Sequence, residues 1–165
     1  MYKRQQFSTD GDLVFAGTAG LPYACIYGNE IAWLQENAAV DTFYNISDVD
    51  IDTGTINNIT HDGAGKITIT IAGKYKSDWS LAFSTENATN HIEAGFEING
   101  SGALSNCGIA HYEIKNANRI TTMSGSAVLD LAVDDTVELS IGTTENNTPD
   151  ITVEGVNLTM VQVGG

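Results

Sequence analysis

Two His-x-Glu pairs, His91/Glu93 and His111/Glu113, are the spacings in this chain with the clearest chemical potential. On a strand, positions i and i+2 share a face, so each pair could chelate a metal ion or set a base beside its orienting carboxylate. A zinc deaminase also needs Pro-Cys-x-x-Cys, and a metalloprotease needs His-Glu-x-x-His on a helix; neither motif occurs. The pairs therefore read as polar outer-face or subunit-contact positions. The segment Asp48-Val-Asp-Ile-Asp52 puts Asp48, Asp50 and Asp52 at alternate positions, as in the first half of a calcium loop. Thr53 stands where that loop's sharp turn needs Gly, and Ile59 where its bidentate Glu belongs. The expectation is a solvated acidic loop, with weakly bound or intersubunit calcium as the alternative. Ser124-Gly-Ser126 lacks the Gly-x-Ser-x-Gly frame of an exposed nucleophile and reads as a bulge or bend in a strand. The carboxylates are too scattered to single out a glycosidase acid and base. No catalytic residue and no cofactor site is expected, and the chain reads as non-enzymatic.

The elements that must carry these residues belong to one domain. In 165 residues there are 7 Lys+Arg against 21 Asp+Glu, a formal charge of −14. A chain this long buries enough apolar surface to fold without a disulfide framework or a structural metal. Nucleic acid is excluded as a partner, because binding requires neutralised phosphates and there is no Lys or Arg between Gln5 and Gly65 or after Arg119. No apolar run is long enough to span a bilayer, so no membrane partner is expected. The polar residues after the opening Met-Tyr-Lys-Arg leave no apolar stretch for a secretion signal. Cys25 and Cys107 lie 82 positions apart without a CxxC companion and read as buried thiols, with a disulfide closing a long loop between them as the alternative. Six Asn-x-Ser/Thr triplets, starting at Asn45, Asn58, Asn87, Asn99, Asn146 and Asn157, read as turn and strand chemistry.

The dominant period is two. Ile67, Ile69 and Ile71 alternate with Thr68 and Thr70, while Tyr75, Ser77, Trp79, Leu81 and Phe83 form an inward, largely aromatic face. Ile92, Ala94, Phe96 and Ile98 form the next, closed by Asn99-Gly100, which tolerates positive φ. Residues 108–115 read as a further strand with Tyr112 and Ile114 inward, and 121–133 as another ending on Leu129, Leu131 and Val133. Val137, Leu139 and Ile141 repeat the alternation after an Asp134-Asp135 turn. Residues 151–163 form the longest strand; 23–33 and 55–60 are weaker ones, and 31–39 has room for a turn or two of helix. Strands at this spacing, joined by Gly/Asn/Asp loops, predict an all-β, two-sheet jelly-roll sandwich over residues 21–165, preceded by an arm, residues 1–20. Strict alternation along the last strand sets Ile151, Val153 and Val161 on one face against Val156, Leu158 and Met160 on the other. One of those faces then needs cover, which a subunit interface would provide. Loop-borne Tyr23, Tyr27, Trp33 and Tyr44 are the aromatic residues available for sugar stacking.

From Gly73 onward the chain carries Gly-Lys-Tyr75, Trp79-Ser-Leu-Ala-Phe-Ser84, Asn90-His, Gly95-Phe-Glu-Ile-Asn99, Cys107 with His111, Ala117-Asn, Met123-Ser-Gly-Ser126, Leu129-Asp-Leu-Ala132, Asp135-Thr-Val137 and Asn157-Leu-Thr159. These segments resemble the jelly-roll heads related to the complement globular head and the tumour necrosis factor superfamily. The resemblance is closer to the versions carried by tailed-phage virion proteins. It spans residues 21–165 and implies a homotrimer with non-enzymatic work on the virion. That work would be decoration of a capsid, as a cement or head-fibre protein in contact with the major capsid protein or another virion protein. The alternative is receptor recognition of a host-surface glycan or protein at a tail-fibre tip. Positions matching Tyr75, Trp79, Phe96 and Leu158 would serve the core or the subunit contact, and the alternation of the last strand adds Val156 and Met160 to that set. Lys3 and Arg4 in the arm would suit docking on an acidic shell. A Gly-X-Y stalk and a secretory signal, which the animal branch carries, have no counterpart in these residues.

Overall fold

The computed structural model describes residues 6–7, 13–14, 20–36, 38–88, 90–144 and 148–165. Thirteen strands follow one another: β1 (Gln6–Phe7), β2 (Leu13–Val14), β3 (Tyr23–Gln35), β4 (Thr42–Asn45), β5 (Asp52–Asn57), β6 (Ile59–His61), β7 (Ile67–Ile69), β8 (Gly73–Thr85), β9 (Asn90–Ile98), β10 (Ala110–Ile114), β11 (Thr121–Leu131), β12 (Thr136–Thr143) and β13 (Ile151–Gly164). Ten of them form two five-stranded sheets, in the orders β11-β8-β13-β3-β5 and β10-β9-β12-β7-β6, with every pairing antiparallel. β4 lies beside β12 beyond the end of β7, where the Ile46 N–H donates to the Leu139 carbonyl at 2.8 Å. β1 and β2 pair with each other, Gln6 opposite Val14. No helix occurs among the described residues. Strands adjacent in space but distant in sequence, such as β3 with β13, wrap two sheets into a jelly roll.

Alternation explains the core. Tyr75, Trp79, Leu81 and Phe83 of β8 face Ile92, Ala94 and Phe96 of β9 and Val137, Leu139 and Ile141 of β12 across the sandwich, and all are buried. Each such side chain contributes about 1.5–3 kcal/mol by leaving water. The Tyr75 hydroxyl, buried with its ring, donates to the Ile71 carbonyl at 2.6 Å, and burial pushes its pKa above the usual phenol range. The Asn99-Gly100 turn takes positive φ at both residues, and Asp134 takes it in the turn before β12. Both are positions where Asn, Asp or Gly limits the steric penalty.

Several expectations from sequence give way to a physical competitor. The last strand does not keep one phase: the register shifts between Val153 and Gly155, so the extra residue turns the chain over. Ile151, Val153, Val156, Leu158 and Met160 consequently all enter the same core, and of the two supposed faces only Val161 remains outside, 38% exposed. Ile31 lies in β3 instead of a helical turn, with Glu30 at positive φ just before it. Tyr112 faces the gap between the sheets at their edge and stays 40% exposed, packed edge-on against Phe83 with ring centroids 6.5 Å apart. β11 ends at Leu131, which leaves Val133 exposed in the following turn. Ser124-Gly-Ser126 is neither bulge nor bend: β11 pairs with β8 in unbroken register through Ser124, Gly125 and Ser126. The cysteines are free, but Cys25 is half-buried and Cys107 exposed, because the one lies on a sheet's outer face and the other in a loop.

Candidate functional site

The six residues assigned to core or subunit contact, Tyr75, Trp79, Phe96, Val156, Leu158 and Met160, are all buried within the single chain. Asp48, Asp50 and Asp52 do not converge. The Asp48 carboxylate accepts the N–H of Asp50 at 2.9 Å and so closes its own turn. Among the described residues no three His, Cys, Asp or Glu side chains form a group able to hold a metal ion. Lys3, Arg4 and most of the 1–20 arm lie outside the described residues. Tyr23 and Tyr27 are exposed on β3, whereas Trp33 and Tyr44 pack against the core.

The two His-x-Glu pairs do meet. β9 and β10 pair so that His111 stands opposite Glu93 and Glu113 opposite His91. The ring Nδ1 of His111 lies 3.1 Å from Glu93 Oε1, and the two imidazoles are 5.2 Å apart between centroids. Sequence spacing sets i and i+2 on one face; only the strand register could reveal that the two pairs form one patch. Beside it, an open cleft of about 710 Å³ between β10 and β11 is lined by residues that include Tyr112, Lys115, Arg119 and Ile120.

The larger contrast is between the outer faces of the two sheets. Over the centre of the sheet β10-β9-β12-β7-β6, the chain covers itself. Glu97, Glu138 and Ser140 are buried although they belong to β9 and β12, which already fill the core with their other face. The 99–109 loop runs along β9, with the Ser105 N–H donating to the Phe96 carbonyl at 2.7 Å, and its Gly102 N–H donates to Glu97 Oε1 at 2.8 Å. On β12, the Thr42 carbonyl of β4 occupies the space that a Cβ on Gly142 would need.

The sheet β11-β8-β13-β3-β5 has no such cover among the described residues. Its outer rows run across the strands in register: Tyr23, Val161, Lys76 and Val128; Cys25, Thr159, Asp78 and Ser126; Tyr27, Asn157, Ser80 and Ser124. Most of these side chains are exposed, and the second and third rows carry the small hydroxylated residues Thr159, Ser126, Ser80 and Ser124. Within these three rows the two charges are paired: Lys76 Nζ lies 2.6 Å from Asp78 Oδ2. The Lys76 ammonium and the Ser126 hydroxyl hold the Asp78 carboxyl below the usual carboxylate range. Over these three rows the formal charge sums to zero, on a chain of charge −14. Sequence reasoning located this surplus on the wrong residues, because the bulge in β13 moves the large apolar side chains inward; the signal available was the run of Ser and Thr on β8 and β11.

No family model and no curated protein matches the chain. Solved structures do. Eiger TNF from S. frugiperda is similar at a TM-score of 0.57 and 10% identity, over 87% of this chain and 92% of that one. Murine APRIL is similar at a TM-score of 0.57 and 10% identity, over 86% of this chain and 99% of that one. At such identity the likeness is one of fold. The chain is an all-β, TNF-like jelly roll.

Proposed function

We propose that this chain is a non-enzymatic structural protein of a tailed-phage virion, which assembles as a homotrimer through the bare face of β11-β8-β13-β3-β5 and decorates the capsid as a cement or head-fibre protein. The observation that carries the assembly is the asymmetry between the sheets: one outer face is closed by the chain's own loop and β4, the other is open, and its central rows are low in unpaired charge. Open sheet faces with tyrosines at the margin and few unpaired charges suit close approach of a second copy, since little has to be desolvated. The virion location rests on the resemblance of residues 21–165 to phage jelly-roll heads. The acidic body favours solubility at high local density, and Lys3 and Arg4 would lead the arm to an acidic shell.

Sedimentation equilibrium of the purified chain is expected to give three subunits, and a lone subunit at micromolar concentration would overturn the assembly. Antibody labelling of the virion is expected to decorate the shell. Labelling confined to fibre tips would favour the receptor-binding reading, and virions without label would remove both. Deleting residues 1–20 should abolish shell binding while leaving the trimer intact.

A further inference from the structure

Glu97 of β9 and Glu138 of β12 stand directly opposite one another and are both buried. A row of polar groups connects them. Ser140 Oγ lies 2.8 Å from Glu97 Oε2 and 2.6 Å from Asn45 Oδ1, and the Asn45 side chain is hydrogen-bonded to the Glu138 carboxyl. Three contacts run in series, from Glu97 to Ser140 to Asn45 to Glu138, and each needs one proton between its two atoms.

The protons can be counted. With the Asn45 oxygen toward Ser140, the serine proton goes to that oxygen and the amide nitrogen donates to Glu138. The contact between Ser140 and Glu97 then holds two oxygens with no proton unless Glu97 brings one. With the amide reversed, its nitrogen donates to Ser140, the serine donates to Glu97, and the Asn45 oxygen meets Glu138, which must bring the proton instead. In either orientation a doubly ionised pair is one proton short, and a buried pair of facing acceptors is strongly unfavourable. We propose that Glu97 and Glu138 share one bound proton, and that this proton fastens the 99–109 loop and β4 onto the sheet as a clasp that alkaline pH releases.

The surrounding charges do not replace that proton. From the start of β7, Lys66 Nζ reaches only to 3.8 Å from Glu138 Oε1, with its own side chain 43% exposed. From the turn after β6, Asp62 adds negative charge. His61 accepts the Gly65 N–H on Nε2 at 3.0 Å and is neutral, burial having lowered its pKa. Burial holds Glu138 above the usual carboxylate range, with Lys66 opposing and Glu97 and Asp62 adding to the rise. A carboxyl raised in the folded state contributes fully below its unfolded value, 4.5, and that contribution is lost as pH rises through the folded value.

The experiment is amide exchange at Gly102, corrected for intrinsic rates, in the wild type, E97Q and E138Q between about pH 5 and about pH 9. Wild-type protection is expected to fall roughly tenfold or more across that range. Each glutamine brings its own N–H and leaves one carboxyl to ionise alone, so both variants should keep their protection at the alkaline end. Constant wild-type protection overturns the proposal, as does the full wild-type pH dependence in E97Q, which would mean that Glu138 titrates by itself. If a variant fails to fold, the infrared spectrum of the wild type decides: a protonated carboxyl band at neutral pH that vanishes on alkaline titration is expected, and its absence is fatal.

Discussion

The Trp79 indole N–H donates to the Gly108 carbonyl at 2.9 Å, and this bond passes directly over Gly125. A Cβ on Gly125 would collide with the Gly108 oxygen and lie 2.6 Å from Trp79 Nε1. A residue of β8, one of β11 and one of the loop before β10 thereby interlock at the side where the sandwich would otherwise open.

Gly125→Ala should therefore destabilise the fold by about 1–3 kcal/mol, the usual cost of overpacking a closed site. Trp79→Phe should cost about 0.5–1.5 kcal/mol for the indole bond, plus lost contact area. Because both changes act on one contact, the double variant should cost less than the sum of the single ones. Urea unfolding followed by circular dichroism measures all three, and full additivity would show that the glycine is not there for the tryptophan.

The bulge in β13 makes a sharper contrast. Leu158→Ala should cost about 2–5 kcal/mol, as for a fully buried leucine, whereas Val161→Ala should stay within about 0.5 kcal/mol in the isolated subunit. An unbroken strand would place these two residues on opposite faces as well, but it would also put Val153 opposite Leu158. Val153→Asp therefore carries the decision: with the bulge it buries an unpaired charge and prevents folding, and without it the substitution would be tolerated on the surface.

Most of the fold is legible as alternation. Ile67 and Ile69, the inward row from Tyr75 to Phe83, and Val137, Leu139 and Ile141 follow the sequence pattern because a half-buried strand imposes a period of two. What the pattern misses depends on partners far along the chain. A bulge shifts phase without changing composition, so the apolar residues after Gly155 read as a second face. His111 meets Glu93, and Ser140 meets Asn45 across 95 positions, only once strand order and register are set. Tyr112 points inward as its alternation with Ile114 predicts but stays part-exposed at the edge of the sandwich, and Cys107, whose residue type predicts burial, lies in an exposed loop.

His61 sets an acid-side pH dependence. Its side chain is almost fully enclosed, Nδ1 lies 2.8 Å from Thr53 Oγ1, and burial depresses its pKa against the opposing pull of Asp62. The unfolded chain takes up a proton at about 6.5 that the folded chain resists, so stability should fall as pH drops below that value toward the depressed folded one. His61→Gln should flatten this part of the stability profile, measured by urea melts over a pH series. A profile with the wild-type slope would assign the acid loss to carboxylates instead.

Cys25 reports directly on the bare face. Its thiol lies in the row of Thr159, Asp78 and Ser126, half-buried in the single chain, while Cys107 is exposed in the loop that closes the other side. If copies pack through that face, a thiol reagent should modify Cys107 at one rate at all protein concentrations, and Cys25 should become protected as the concentration rises. Val161→Arg places a second cation opposite Lys76 on the exposed side and should cost the lone subunit little, while repelling its copies at the contact. In that variant Cys25 should label at a rate independent of concentration. Equal labelling of Cys25 in the assembled wild type and in the variant would mean that the subunits meet elsewhere, since a thiol enclosed by the contact cannot stay open to reagent.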